Sequence, residues 1–264
     1  MRRLIFLTFI ICLISSCSGI GNKGTPSISS LPEALVTFVF DDGNDTDYIV
    51  AKDIFDSHGD VACSAVTTDW IDTKNYLNTS RLAELQNAGW EILSHTVSHP
   101  NLKTLSESQI EAELAQSKST LEGLGLKVKN LVYPYNKNND MVKRIAKKYY
   151  RSGRSGRSML NADVSDQYDL KSYSNKHAFS KIKENIDMAH IERKWLILYH
   201  HQIDARIKIS DRSGIFVSEE SISFTPSGAT GRYIVANGSA MRFIPLSGTP
   251  QAGDTVTGQS SGAA

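Results

Sequence analysis

The chain has 264 residues, 40% of them hydrophobic and 22% charged, with a formal net charge of +1. That composition excludes a disordered chain, and the length suits one large domain or one domain with an appendage. Scattered basic residues and near-neutral charge give no sustained field, so no nucleic-acid partner is expected and a neutral, sugar-like one fits better.

The N-terminus reads MRRLIFLTFIICLISSC: two arginines, an apolar run short for a membrane span, then small residues. This predicts a secretory signal over residues 1–17. Leu13-Ile14-Ser15-Ser16-Cys17 resembles the lipobox of bacterial lipoproteins. That resemblance implies cleavage before Cys17 and lipid modification of its thiol, hence an exported protein whose membrane contact is the anchor alone. In a Gram-negative cell, Ser18 after Cys17 resembles outer-membrane sorting, with the body on the periplasmic or surface face. Cys12 would leave with the leader, so Cys63 has no partner and no internal disulfide forms. Residues 18–33, rich in Ser, Gly and Asn at their start, read as a flexible tether.

From residue 34 to 210, apolar strand candidates alternate with helical patterns. The strand candidates are ALVTFVF (34–40), DVACSAVTT (60–68), GWEILSH (89–95), VKNLVYPY (128–135), a weaker YYRSG (149–153), LKSYS (170–174) and KWLILYH (194–200). Their continuous apolar runs predict strands covered on both faces. TDYIVAKDIFDSHG, TSRLAELQNAG, TLSESQIEAELAQSKSTLEGLG, NDMVKRIAKKY and AFSKIKENIDMAHIER carry apolar residues at helical spacing, and Ser106 with Gln109 forms a capping box. This alternation predicts an α/β fold with a parallel sheet, closed into a barrel or open, whose chemistry collects at the carboxyl ends of strands. Residues 211–264 read as a small β-appendage of two or three strands, with a hairpin at Asn237-Gly238 and a floppy end from about Gln259.

Polar residues able to bind or transfer protons fall at several strand ends. Strand one ends in Asp41-Asp42, strand three in SHTVSH (94–99), strand four in YPYN (133–136) and strand seven in Tyr199-His200-His201. His95 and His99, four apart, can place two imidazoles on one cation. One carboxylate from another strand would complete a two-histidine, one-carboxylate set with open positions for water and substrate.

FDDG, SHTVSH, YPY and LYH in that order make residues 34–205 similar to the polysaccharide deacetylase family of the NodB homology type, carbohydrate esterase family four. The resemblance implies a distorted barrel of about seven strands and helices. It implies hydrolysis of N-acetyl groups from an amino-sugar polymer, or of O-acetyl esters on another acetylated polysaccharide. Residue by residue, it makes Asp42, His95 and His99 the ligands of a divalent metal, usually Zn2+, with Co2+, Ni2+ or Fe2+ also suited to such a set. Asp41 becomes the general base, His200 the general acid, and Tyr135 the groove residue whose N–H faces the oxyanion. His201 is the rival acid, because neighbouring strand residues face opposite ways and only one can enter the site. Gly43 would have to bend the chain for both carboxylates to reach one pocket.

The pattern departs from the family where Tyr133 stands in place of an arginine that commonly orients the catalytic aspartate. Arg154 is the preferred substitute over Arg151 and Arg157, and Asp166 or Asp163 the candidate for a further aspartate motif. The missing arginine also motivates an alternative, a glycan-binding lipoprotein that kept the barrel and lost catalysis.

Overall fold

The structure, a computed structural model, describes residues 33–175, 179–211, 213–237 and 239–264. The signal segment, Cys17 and the tether up to residue 32 lie outside the described residues. The chain divides into two compact units, the larger running to Asn44 and resuming at Phe55–His201, the smaller made of Asp45–Ile54 and Gln202–Ala264.

The larger unit is a closed barrel of seven parallel strands: β1 (Leu35–Phe40), β2 (Cys63–Val66), β3 (Glu91–Ser94), β4 (Asn130–Val132), β5 (Ser152–Arg157), β6 (Leu170–Ser174) and β7 (Trp195–His200). β1 pairs with both β2 and β7, which closes the ring. Helices α1 (Asp53–His58), α2 (Thr79–Asn87), α3 (Glu107–Gly123), α4 (Asp140–Tyr149) and α5 (Phe179–Glu192) lie between the strands in sequence. This is the α/β barrel expected from the alternation of patterns. At the start of α3 the Ser106 hydroxyl accepts from Gln109 N–H while the Gln109 side chain accepts from Ser106 N–H.

Two apolar clusters fix which way each strand residue points. Val39, Cys63, Ala65, Leu93, Val132, Leu170 and Ile197, drawn from six strands, pack together as the barrel interior. Leu196 and Leu198 pack instead with Ala189, Ile182 and Ile186 of α5, and with Val36 and Phe38. On β7, then, Ile197 faces inward and its two neighbours outward, the period-two alternation of any strand.

β5 lies three residues further on than expected. Tyr149 still belongs to α4, and the Tyr150 hydroxyl is taken inward to Ser94 Oγ and the Leu114 carbonyl at 2.8 and 2.7 Å. The strand is SGRSGR, which carries no apolar signal. Gly153 is needed there: a Cβ would stand 2.3 Å from the Tyr133 hydroxyl oxygen. Tyr133 itself is wholly buried and its hydroxyl donates to the Tyr168 carbonyl at 3.0 Å.

The smaller unit is a five-stranded antiparallel sheet in the order β12-β9-β10-β11-β8, larger than the two or three strands expected. Its strands are β8 (Ala205–Lys208), β9 (Ser221–Thr225), β10 (Thr230–Asn237), β11 (Ala240–Ser247) and β12 (Thr255–Gly258). The expected boundary at residue 211 therefore falls too late, because β8 pairs with β11. Asn237 pairs with Ala240 at the end of the β10–β11 hairpin, and Gly238 of the expected Asn237-Gly238 turn lies outside the described residues. Alternation buries Ile222, Phe224, Tyr233, Met241 and Phe243 with Phe216 and Val256. Arg232 on β10 grips the buried Asp45 with both terminal nitrogens, at 2.8 and 3.1 Å. The end of the chain is not floppy: Ala263 is buried, and Ser213 and Ala264 exchange backbone hydrogen bonds of 2.6 and 3.0 Å. Glu220 adds acceptors for the N–H groups of Ser260 and Ser261.

Candidate metal and catalytic site

β1 delivers Asp41 to the carboxyl end of the barrel, where its N–H donates to the His200 carbonyl at 2.9 Å. Asp42 and Gly43 follow with φ of 82° and 72°, so the chain turns over two left-handed residues. Glycine takes that conformation freely, whereas Asp42 pays about 1–2 kcal/mol for it. After the turn the Asp42 carboxylate sits among the histidines of β3, and the charges of both Asp42 and Asp41 reach His99.

The β3 end is built to present two imidazoles. His95 N–H bonds the Val66 carbonyl at 2.9 Å, and its Nδ1 lies 2.8 Å from the Val132 carbonyl. An Nδ1 that donates to a carbonyl leaves the Nε2 lone pair free, the tautomer a metal requires. His99 closes the following loop with φ of 60°, its N–H donating to Thr96 Oγ1 at 3.1 Å.

Asp42 Oδ1 lies 3.6 Å from His95 Nε2 and 3.5 Å from His99 Nε2. One ligating atom from each of Asp42, His95 and His99 falls within 4.8 Å of the others, a group that could hold a metal ion. Asp42 Oδ1 is buried and has no hydrogen-bond partner among the described residues, so a cation fits a need the chain leaves open. Burial works to raise the Asp42 carboxyl, yet the neighbouring His95, His201 and His99 hold it below its ordinary value. Burial and the charge of His95 pull His99 down, which favours the neutral ligand form.

Beside this cluster lies a buried ion pair. Arg154 on β5 donates from Nη2 to both carboxylate oxygens of Asp41 at 2.6 Å, and both side chains are nearly inaccessible, 4% and 6% exposed. Arg154 Nη1 is held by Asn136 Oδ1 at 2.5 Å and by Ser172 Oγ at 3.3 Å, and its guanidinium lies 4.8 Å from the Tyr199 ring centre. The guanidinium thus comes from β5, while Tyr133, the residue after β4, is buried and bonded to the Tyr168 carbonyl.

The two histidines of strand seven part company. His200 points away from the barrel axis, its ring 5.1 Å from Phe40 and 5.8 Å from Phe38, with Nδ1 bonded to the Asn175 amide and Nε2 buried without a hydrogen-bond partner among the described residues. Burial pushes it down to about 4. His201 follows the inward parity of Ile197 and Tyr199, and its Nε2 stands 4.0 Å from Asp42 Oδ2 with the side chain 43% exposed.

Tyr135 takes φ of 56°, is 59% exposed, and sets its ring edge-on to His99 with 4.7 Å between centres. Trp70 and Tyr76 continue this aromatic wall, Trp70 lying 5.4 Å from His99 and 4.9 Å from Tyr76. Asp166 stays at the surface, bonded to Lys143 at 3.0 Å, and Asp163 turns back on Ser165 N–H. Neither joins the site. Sequence reasoning missed Asn136, although it ends the quoted YPYN, and it missed Trp70, Tyr76 and Asn175, which carried no motif.

The closed seven-stranded parallel barrel matches the (β/α)7 fold of solved deacetylases, and it carries the Asp42, His95, His99 cluster at its strand ends. The family model described as Polysaccharide deacetylase matches residues 29–151. The chain is 27% identical over 117 residues to YxkH of Bacillus subtilis (strain 168), whose name assigns it provisionally to the polysaccharide deacetylases; the match covers 44% of this chain and 42% of that protein. Among solved structures, it is similar to the Streptococcus pyogenes deacetylase PplD in complex with acetate, at 25% identity and a TM-score of 0.50, covering 52% of this chain and 62% of that one. IcaB from Ammonifex degensii shares the fold, with a TM-score of 0.54 at 18% identity over 61% of this chain and 75% of that one. The chain thus spans less than half of the curated relative. The family model covers somewhat less than half of the chain, and the solved relatives share its fold.

Proposed function

We propose that the protein is a metal-dependent deacetylase acting on an acetylated polysaccharide. The observation that carries this reading is the Asp42, His95, His99 cluster standing beside an Asp41 carboxylate clamped by Arg154. A divalent cation held by the three ligands, Zn2+ being best suited to them, supplies Lewis acidity to an acyl oxygen and to water. Asp41 is the acceptor for the proton lost by the attacking water, and Arg154 fixes the direction in which its oxygens face. The exposed Tyr135, with Trp70 and Tyr76, offers ring faces to the sugar.

For the group that returns a proton to the leaving nitrogen we assign His201, the rival of His200. His201 faces Asp42 from the open side, whereas His200, buried and pushed down to about 4, is neutral at pH 7 and packed against phenylalanines. Amide cleavage needs that proton because an amine anion is a poor leaving group. The alternative reading, glycan binding without catalysis, drew its motive from a missing arginine, and Arg154 in contact with Asp41 weakens that motive.

Acetate release decides the matter. The soluble chain, loaded with zinc, should free acetate from acetylated chitooligosaccharide, peptidoglycan or acetylated xylan, and should lose this on chelation. Tight glycan binding with no acetate from any of them would favour the non-catalytic alternative. The proposal extends to an exported, lipid-anchored protein. Among the described residues no helix is long and apolar enough to cross a membrane. Labelled palmitate should be incorporated into the wild-type protein and not into Cys17→Ser.

A further inference from the structure

We infer that Glu113 is a positioning residue for the metal ligands, acting through the loop that joins His95 to His99. The inference rests on the metal-binding reading above. His95 is secured by strand contacts, but His99 lies beyond the strand, on a loop in which both Thr96 and His99 take positive φ, 70° and 60°. Non-glycine residues hold that conformation only where their surroundings impose it.

The loop's backbone groups show what imposes it. The Thr96 and Val97 carbonyls accept from the N–H groups of Thr68 and Asp69 at 3.2 and 3.0 Å. The N–H groups of Val97 and Ser98 both turn to one oxygen of Glu113, Oε2, at 2.8 and 3.0 Å. The second oxygen, Oε1, accepts the Ser98 hydroxyl at 2.7 Å. Glu113 sits in the second turn of α3, so a rigid element reaches across to hold two of the three residues between the metal ligands. A carboxylate suits the task because it only accepts, and three donors converge on it. An alanine there leaves two loop amides without their acceptor, and His99 loses its fixed bearing on Asp42.

Cobalt titration followed by absorbance tests this on the intact chain, with circular dichroism to verify folding. Glu113→Ala should weaken cobalt binding about 10–100-fold, the range expected when a group supporting a metal ligand is removed. Glu113→Gln, which keeps an oxygen for the two N–H groups, should restore most of that loss. A folded Glu113→Ala chain that binds cobalt within about twofold of wild type overturns the inference and leaves Glu113 a stabiliser of the loop alone. Should the alanine variant fail to fold, Ser98→Ala carries the test: weakening of about threefold or more supports the inference, and affinity equal to wild type overturns it. A wild-type chain that takes up no cobalt overturns the metal reading along with it, whereas wild-type binding matched by Glu113→Ala overturns Glu113 alone.

Discussion

The ends of β3 and β7 both bring a histidine to the mouth of the barrel, and they are built on different principles. At β3 each polar group is tied down: His95 Nδ1 on the Val132 carbonyl, His99 N–H on Thr96, and the amides of Val97 and Ser98 on Glu113. At β7, His201 is 43% exposed and meets Asp42 only at 4.0 Å. Ligands of a metal must share one point in space, so their loop is held from several sides. A proton donor must meet a substrate that arrives from solvent, so its side chain stands open.

The strongest test of that contrast exchanges the two neighbours on β7. His201→Gln should lower kcat for deacetylation by about 10²–10⁴-fold, the usual share of a general acid, and leave cobalt affinity near wild type. His200→Gln should change kcat only severalfold, and the reverse pattern would return the role to His200. Asp42→Asn should abolish both metal content and turnover, measured by elemental analysis and acetate release.

Next in size is the clamp on Asp41. Arg154→Gln leaves a buried carboxylate without its partner, so thermal or urea unfolding should register a loss of about 3–5 kcal/mol as well as slower turnover. His200 then gives a signature in pH. Its value in the fold, about 4, lies below the 6.5 of an exposed imidazole, so the unfolded chain gains a proton first as the pH falls. The stability tied to the neutral ring is fully present above pH 6.5 and is lost progressively towards pH 4, by about 3 kcal/mol. Urea midpoints at pH 7, 6, 5 and 4 should fall less steeply for His200→Gln than for wild type. An unchanged slope would show that the ring is not held neutral. The smallest effect belongs to the capping box, where Ser106→Ala should cost about 1 kcal/mol in the same assay and leave turnover untouched.

Much of the barrel was legible because parallel strands buried on both faces spell apolar runs, and β1, β2, β3 and β7 do so. β5 was not, because SGRSGR serves as a strand for reasons outside itself: the Tyr133 ring lying on Gly153 and the Asp41 carboxylate receiving Arg154. The His95, His99 pair could be read from spacing and Asp42 from the family resemblance, and the structure brings the three ligating atoms within 4.8 Å of one another. The choice between His200 and His201 could not. Leu196, Ile197 and Leu198 are all buried, so the sequence hides which parity faces the interior. Glu113 was equally invisible, since two of its three donors are backbone amides, which leave no trace in residue types. The smaller sheet was undercounted because β8, the four residues ARIK, gains its identity only by pairing with β11.

The close approach of Tyr133 to Gly153 also limits how this site could change. Tyr133 and Gly153 interlock: a side chain at 153 collides with the phenol, on the face of β5 opposite to the one from which Arg154 reaches Asp41. A larger residue at 153 fits only together with a smaller one at 133, so β5, the strand that carries Arg154, is tied to the segment after β4 by the fit of one ring on one glycine.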